Sequence, residues 1–354
     1  MIKTLDLKNF TVLPDAHYEF SPGLNVFVAE NGMGKSHLLK ILYALTTFGL
    51  GSGQDSKNIL QAELEKHLKE NFRAEEVFRL VRRVQGSKRC TVECSFAEPT
   101  ASVEFSISSR VGLSLKKIPS SFTSGSVFFP TRELMSLCPW FVPAYELYHL
   151  EFERSWRDTC QLLQAPGRKG PRSSAMTSIL KVLQTALGGE VILNGDSGRF
   201  YMKSNSSAWT GTIEMPMVAE GLRKLAMLYR LIQTGTFEDR RVLFWDEPEA
   251  NLNPKYIRQL ARCIWALATN GIQVFVASHS MILLREFMIS QVKAKSQEVR
   301  WFSLAGPNAG LECVSDLSQL TRFTAMKSED EQKEPLHGRG STTNLIRSPN
   351  PNNP

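Results

Sequence analysis

Two short segments of this chain carry residues whose types and spacing suit phosphate chemistry. The first is Ala29-Glu30-Asn31-Gly32-Met33-Gly34-Lys35-Ser36, a phosphate-binding loop with alanine where the general motif has its first glycine. Gly32 and Gly34 let backbone N–H groups turn toward a β-phosphate. Lys35 supplies a point charge for the β- and γ-phosphates, and Ser36 a hydroxyl ligand for Mg2+. Asn31, Met33 and His37 complete the candidate nucleotide contacts, with His37 read as a residue on the surface of the following helix. The second segment, Val242-Leu243-Phe244-Trp245-Asp246-Glu247, is an apolar run that delivers two adjacent carboxylates. Asp246 can hold Mg2+ through water, and Glu247 can polarise an attacking water. Two acids closing a buried strand can also be an ordinary solvated strand end; the phosphate loop upstream argues for chemistry. Ala277-Ser278-His279-Ser280 closes the next apolar run; a lone histidine is usually structural, but His279, at this strand end and downstream of Asp246-Glu247, reads as a γ-phosphate sensor. Val218-Ala219-Glu220-Gly221-Leu222-Arg223-Lys224 opens a helix whose N-terminus is a second anion site.

These groups need elements to hold them. Leu24-Asn25-Val26-Phe27-Val28 has the length and β-branched content of a buried strand, and Ser36 to Leu45 has apolar residues at helical spacing. Strand, glycine loop, helix is the context a phosphate loop requires. Asn58 to Phe72 predicts a charged amphipathic helix. Short alternating runs from Val77 to Leu115, beginning with Val77-Phe78-Arg79-Leu80-Val81, predict an antiparallel meander. Residues 133–187 read as mainly helical, interrupted by the loop at 165–171, and residues 190–215 return to short strands. Pro254 to Asn270 predicts a helix with proline near its start and Gly271 just beyond its end. A strand over 272–277, a short helix and a hairpin around 306–310 close the pattern. The polar stretch 326–354, rich in proline and asparagine, predicts a disordered tail.

Composition bounds the partners. The chain has 354 residues and a formal net charge of +7, which permits double-stranded DNA as a partner without requiring it. Arg79, Arg82, Arg83, Lys88 and Arg89 form a basic run that could meet nucleic-acid phosphates or be a solvated sheet face. The six cysteines have no paired rhythm and no histidine cluster beside them, which argues against zinc and for reduced thiols in a cytoplasmic protein. No apolar run approaches the ~20 residues that span a bilayer, so no membrane is expected.

Together the motifs resemble an ABC-class AAA family ATPase of the RecF, SMC and OLD side, over about residues 1–320. The resemblance is carried by Leu7-Lys8-Asn9-Phe10, Gly23-Leu24-Asn25-Val26, Glu30-Asn31-Gly32 and Phe128-Phe129-Pro130-Thr131-Arg132-Glu133. Ala219-Glu220-Gly221-Leu222-Arg223-Lys224, the segment from Asp246 to Pro254, and Ser278-His279-Ser280 complete it. It implies an α/β P-loop NTPase fold: an ABC-ATPase-like head with an antiparallel β meander and a helical lobe. The head would span 1–325, its nucleotide lobe about 1–130 plus 235–325 and its signature lobe about 131–234. ATP and Mg2+ are the implied cofactors, and a homodimer forming on ATP binding is the implied working state. In that dimer Ala219, Glu220 and Gly221 would contact ATP in trans, and Asn251, Leu252 and Asn253 would couple the two sites. Ala219 departs from the usual serine and loses a hydroxyl contact. The usual Mg2+-sensing glutamine is not obvious, and Thr131-Arg132-Glu133 occupies its expected place. Glu133 or Arg132 would substitute, although a helix-start cap accounts for the same residues.

Between Lys35 and Asp246 no heptad array appears, so no long coiled-coil arm is expected, and no acidic cluster suggests a fused nuclease. The expectation is a stand-alone head that hydrolyses ATP in DNA-associated repair or phage defence, working with a separate effector protein. The alternative is an ATP-gated interaction module that turns over slowly, which Ala219 favours. A transporter ATPase subunit fits the opening Asn9-Phe10 poorly.

Overall fold

The computed structural model describes residues 1–48, 56–83, 89–98, 101–118, 125–205, 210–295, 298–307 and 310–321. The expected tail at 326–354 lies outside them, as does Lys88. In chain order the strands are β1 (Ile2–Lys8), β2 (Ala16–Glu19), β3 (Leu24–Val28), β4 (Cys90–Phe96), β5 (Ser102–Ser108), β6 (Gly112–Lys117) and β7 (Ser126–Phe129). They continue as β8 (Glu190–Leu193), β9 (Phe200–Asn205), β10 (Thr210–Glu214), β11 (Val242–Asp246), β12 (Gln273–Ser278), β13 (Val299–Leu304) and β14 (Leu311–Val314). The helices are α1 (Lys35–Thr47), α2 (Lys57–Phe72), α3 (Cys138–Tyr148), α4 (Arg154–Gln164), α5 (Ser174–Leu187), α6 (Glu220–Thr234), α7 (Thr236–Asp239), α8 (Pro254–Thr269) and α9 (Met281–Ala294).

The strands form three sheets. The largest has the order β14-β13-β3-β12-β11-β7, parallel except for the antiparallel edge strand β14. Every residue of β3, β11 and β12 is buried, as expected of strands covered on both faces. The second sheet, β2-β1-β4-β5-β6, is antiparallel, and β4 alternates between buried and partly exposed residues because only one of its faces meets the core. A third, three-stranded antiparallel sheet has the order β10-β9-β8.

One core joins α1 to the facing sides of the two larger sheets. Phe20, Phe27, Phe244, Phe275 and Phe302 meet there, with ring centroids 5.2 Å apart for Phe20–Phe275 and 5.0 Å for Phe27–Phe302 and Phe244–Phe275. The buried amide of Gln273 binds the sheets at one corner: Ile2 N–H donates to its Oε1 at 2.8 Å, and its Nε2 donates to the carbonyls of Ile2 and Ser21. On the other side of the site, Thr159 of α4 donates to the Phe128 carbonyl at 2.6 Å. Buried Arg230 of α6 donates to the carbonyls of Leu163 and Ala165, where α4 ends with unpaired acceptors. Polar contacts as well as packing thus tie α4 to the central sheet and α6 to α4.

Two expectations for elements are corrected. Val77–Leu80 is a 3-10 turn rather than a strand. Its buried residues, Val77 and Leu80, are three apart, which suits a 3-10 repeat; the segment packs against β5 and β6, and the adjacent Val81 forms an isolated antiparallel bridge with Phe10. The helix after β12 is not short: α9 runs for 14 residues.

Candidate functional site

Strand order places the chemistry. β12 lies between β3 and β11, pairing Ser278 with Val28 on one side and Ala277 with Asp246 on the other. The phosphate loop that follows β3, the carboxylates that end β11 and the histidine that follows β12 therefore emerge along one edge of the parallel sheet. That edge is where open α/β sheets bind ligands.

The loop itself is shaped for an anion. Gly34 caps α1 with φ 93° and provides no side-chain cap, so the first N–H groups of α1 face outward. A Cβ at Gly34 would stand 2.8 Å from Leu13 Cδ2, which adds a packing requirement to the conformational one. Lys35 curls back over the loop: its Nζ donates to the carbonyls of Ala29 at 2.7 Å and Glu30 at 3.1 Å. Burial lowers the Lys35 pKa, while the charges of Glu247, Asp246 and Glu249 oppose that shift. Asn31 is exposed, and Met33 packs beside Gly306.

Asp246 is only 7% exposed, and its Oδ1 has no hydrogen-bond partner among the described residues. Burial raises its pKa, and a hydrogen bond from the Ser36 side chain works against the shift. A buried, under-satisfied carboxylate beside a serine hydroxyl is a donor set of hard oxygens, which fits Mg2+. The residues present therefore suit a magnesium nucleotide.

Glu247 is held in an uncommon conformation, φ 46°, by contacts on several sides. Its N–H donates to the Ala277 carbonyl at 2.9 Å, and its Oε1 lies 3.2 Å from His279 Nδ1. Glu249, two residues on, is buried. It accepts from Ser278 Oγ at 2.7 Å, while its second oxygen, Oε2, has no hydrogen-bond partner among the described residues. Ser278 Oγ in turn accepts from Ser280 N–H at 3.0 Å, which steadies the turn carrying His279.

Ala219 is the N-cap of α6 and makes no side-chain cap bond, leaving the start of that helix open. Gly221 does permit a close approach, but the group it meets within the chain is the backbone of Asn251: a Cβ there would lie 2.3 Å from Asn251 O and 3.0 Å from Leu252 Cδ2. Asn253 is the N-cap of α8 and accepts from Lys255 N–H at 3.0 Å. Glu133 is buried, paired with Arg223 of α6 at 3.0 Å, and accepts from Ser136 N–H at 3.2 Å. Its carboxylate is thus committed to α6 and to the turn before α3. His37 is half-buried rather than on an open surface. Its ring meets Phe72 edge-on at 5.5 Å, and burial lowers its pKa.

A cleft of about 860 Å³ opens beside the loop, lined among others by Thr11, Val12, His37, Phe72, Arg79 and Pro307. The buried Thr11 Oγ1 and His37 Nδ1 have no hydrogen-bond partners among the described residues. Sequence reasoning missed this cleft because its walls come from separated segments. It also passed over Lys224 and Glu249 as individuals. A lysine in the apolar stripe of α6, three residues after Gly221, was the available signal.

Two family models match the chain: "AAA domain" over residues 4–126, and "AAA domain, putative AbiEii toxin, Type IV TA system" over 203–285. The DNA replication and repair proteins RecF of Streptococcus uberis and of Phocaeicola vulgatus are each 38% identical over 60 residues, which is 17% of this chain. The match spans 16% of the length of each relative. Among solved structures, an Smc head bound to the C-winged helix domain of ScpA aligns with TM-score 0.54 and 14% identity, over 92% of this chain and 99% of that one. The Smc head of Pyrococcus yayanosii with a coiled coil and joint aligns with TM-score 0.53 and 10% identity, over 94% and 99%. The fold is that of an SMC-type head, a P-loop α/β architecture. Together with the two AAA-domain matches and the similarity to RecF, this fold supports a RecF/SMC-like ATPase of the ABC class.

Proposed function

We propose that this chain binds Mg-ATP at the β3-β12-β11 edge, hydrolyses it, and works as a homodimer with ATP sandwiched between two heads. The observation that carries the reading is the convergence of Lys35, Asp246, Glu247 and His279 on one sheet edge, with Asp246 buried and under-satisfied. Met1–Arg322 is one compact unit, in keeping with a single two-lobed head.

In this mechanism the N–H groups of the 31–36 loop and the open N-terminus of α1 cradle the phosphates. Lys35 leaves its own loop carbonyls for the β- and γ-phosphate oxygens. Ser36 and Asp246 would hold Mg2+, whereas both oxygens of Glu133 are engaged by Arg223 and Ser136; the ion, when bound, would neutralise phosphate charge. Glu247 accepts a hydrogen bond from the attacking water and polarises it, and His279, in contact with Glu247, senses the γ-phosphate. The 860 Å³ cleft has the size to take the base and ribose. In the dimer Ala219, Glu220 and Gly221 meet the partner's ATP, and Asn251, Leu252 and Asn253 couple the two sites.

Its role, on this reading, is cytoplasmic and lies in DNA-associated repair or phage defence beside a separate effector; the RecF matches favour the repair arm, and the ScpA-bound Smc head is a head of this fold that takes a protein partner. Among the described residues no helix is long and apolar enough to cross a membrane. Ala219, which lacks the hydroxyl of the usual serine, favours a second reading: an ATP-gated interaction module with slow turnover.

The test is hydrolysis and light scattering with wild type, Lys35→Ala and Glu247→Gln, with and without double-stranded DNA. Lys35→Ala should lose ATP binding. Glu247→Gln should bind ATP, accumulate as a dimer, and lose roughly 100-fold or more in turnover. A Glu247→Gln protein that stays monomeric at saturating ATP sinks the sandwich mechanism. Weak turnover indifferent to DNA selects the gated module.

A further inference from the structure

Lys224 sits in the apolar stripe of α6 and is 1% exposed. Its Nζ donates to the carbonyl oxygen of Glu247 at 3.2 Å. One turn earlier on the same helix, Gly221 closes on the Asn251 carbonyl. The intervening turn contains two left-handed non-glycine residues, Glu247 at φ 46° and Asn251 at φ 64°. They are the two residues that α6 touches through Lys224 and Gly221. Such backbone persists only where its surroundings over-determine it.

Charge reinforces the geometry. Burial depresses the Lys224 pKa to about 8, opposed by Glu249 first and then by Glu220, Glu247 and Asp246. A buried lysine is costly and is retained when its charge has partners. Here the opposing carboxylates lie at the end of β11, on the turn that carries Glu247 and in the first turn of α6 itself.

We propose that Lys224 is a positioning residue for Glu247: α6 grips the Glu247–Asn251 turn at both ends, so that displacing the start of α6 displaces the carboxylate that polarises water. The proposal rests on the reading of Glu247 given above. It deepens that reading, because an anion meeting the open N-terminus of α6 would then act on Glu247 of the same chain.

The experiment compares wild type, Lys224→Met and Lys224→Arg as full chains, by Mg-ATP hydrolysis, nucleotide binding and amide hydrogen exchange over residues 245–253. Lys224→Met should keep KM and nucleotide affinity within roughly threefold of wild type and lose kcat by about 30-fold or more. Its Glu247–Asn251 amides should exchange about tenfold faster while those of β3 and β12 keep their protection. Lys224→Arg, which restores a cationic donor, should recover most of the turnover. Unchanged exchange in Lys224→Met overturns the grip, and unchanged kcat with faster exchange overturns the catalytic positioning. If Lys224→Met does not fold, Lys224→Gln is read by the same criteria. If wild type neither binds nor hydrolyses ATP, the proposed function falls, and exchange alone decides whether α6 grips the turn.

Discussion

The carboxylates of Asp246 and Glu247 are neighbours in the chain, yet their surroundings assign them different work. Asp246 ends a fully buried strand and has an oxygen without a partner, whereas Glu247 turns out of the strand into a left-handed conformation beside His279. The first suits a cation and the second a water. Ala219 shows the same dependence on place. At the N-cap of α6 it satisfies none of the free N–H groups, which a serine hydroxyl could do. Ala219→Ser should therefore raise stability by about 1 kcal/mol in thermal or denaturant melts. In the proposed dimer it should also increase ATP-dependent association, measured by light scattering. An unchanged melt would show that the start of α6 is already satisfied by other groups.

Elements hold these residues through a few buried polar contacts. On α2, His67 is 2% exposed and 3.3 Å from Thr47 Oγ1 of α1. Burial, helped by Arg154, Lys66 and Arg157, lowers its pKa from 6.5 to about 3. The folded protein therefore keeps His67 neutral at a pH where the unfolded chain protonates it. Its contribution to stability is fully present above pH 6.5 and is lost as the pH falls toward the folded value. Between pH 7 and pH 5 the loss should be about 2 kcal/mol. His67→Gln should flatten the pH dependence of the melt by that amount, whatever it does to absolute stability. Equal pH slopes in the two proteins would mean that His67 is protonated within the fold. Loosening of α2 bears on the site, because Phe72 at its end packs on His37, next to Ser36.

At the scale of the molecule, ligand binding and folding are linked. Mg-ATP at 100 times its Kd should add about 2.7 kcal/mol to the stability of a folded state that alone binds it. For a domain of this size that raises Tm by roughly 4 °C. Lys35→Ala should show no shift, and a shift of equal size in that variant would move the nucleotide site elsewhere. The net charge of +7 gives no comparable prediction for DNA, since one basic cluster, around Arg79 and Arg82, is engaged by Glu75 and Asp15.

The phosphate loop, the Asp246-Glu247 pair and the buried strands β3, β11 and β12 were legible in the chain because each is local. A glycine loop, an apolar run or a pair of acids carries its meaning within about ten residues. Val77–Leu80 was misread for the same reason, since five residues of alternating apolar character suit either a strand or a 3-10 turn. The order of the strands is not local, and it alone puts β12 between the loop and the carboxylates. The cleft beside His37, the pairing of Glu133 with Arg223 and the contact of Lys224 with Glu247 likewise join residues far apart in sequence. What the sequence determined by itself was which groups could do phosphate chemistry. The tertiary structure decided which of them face one another, because packing against distant segments sets where each side chain ends.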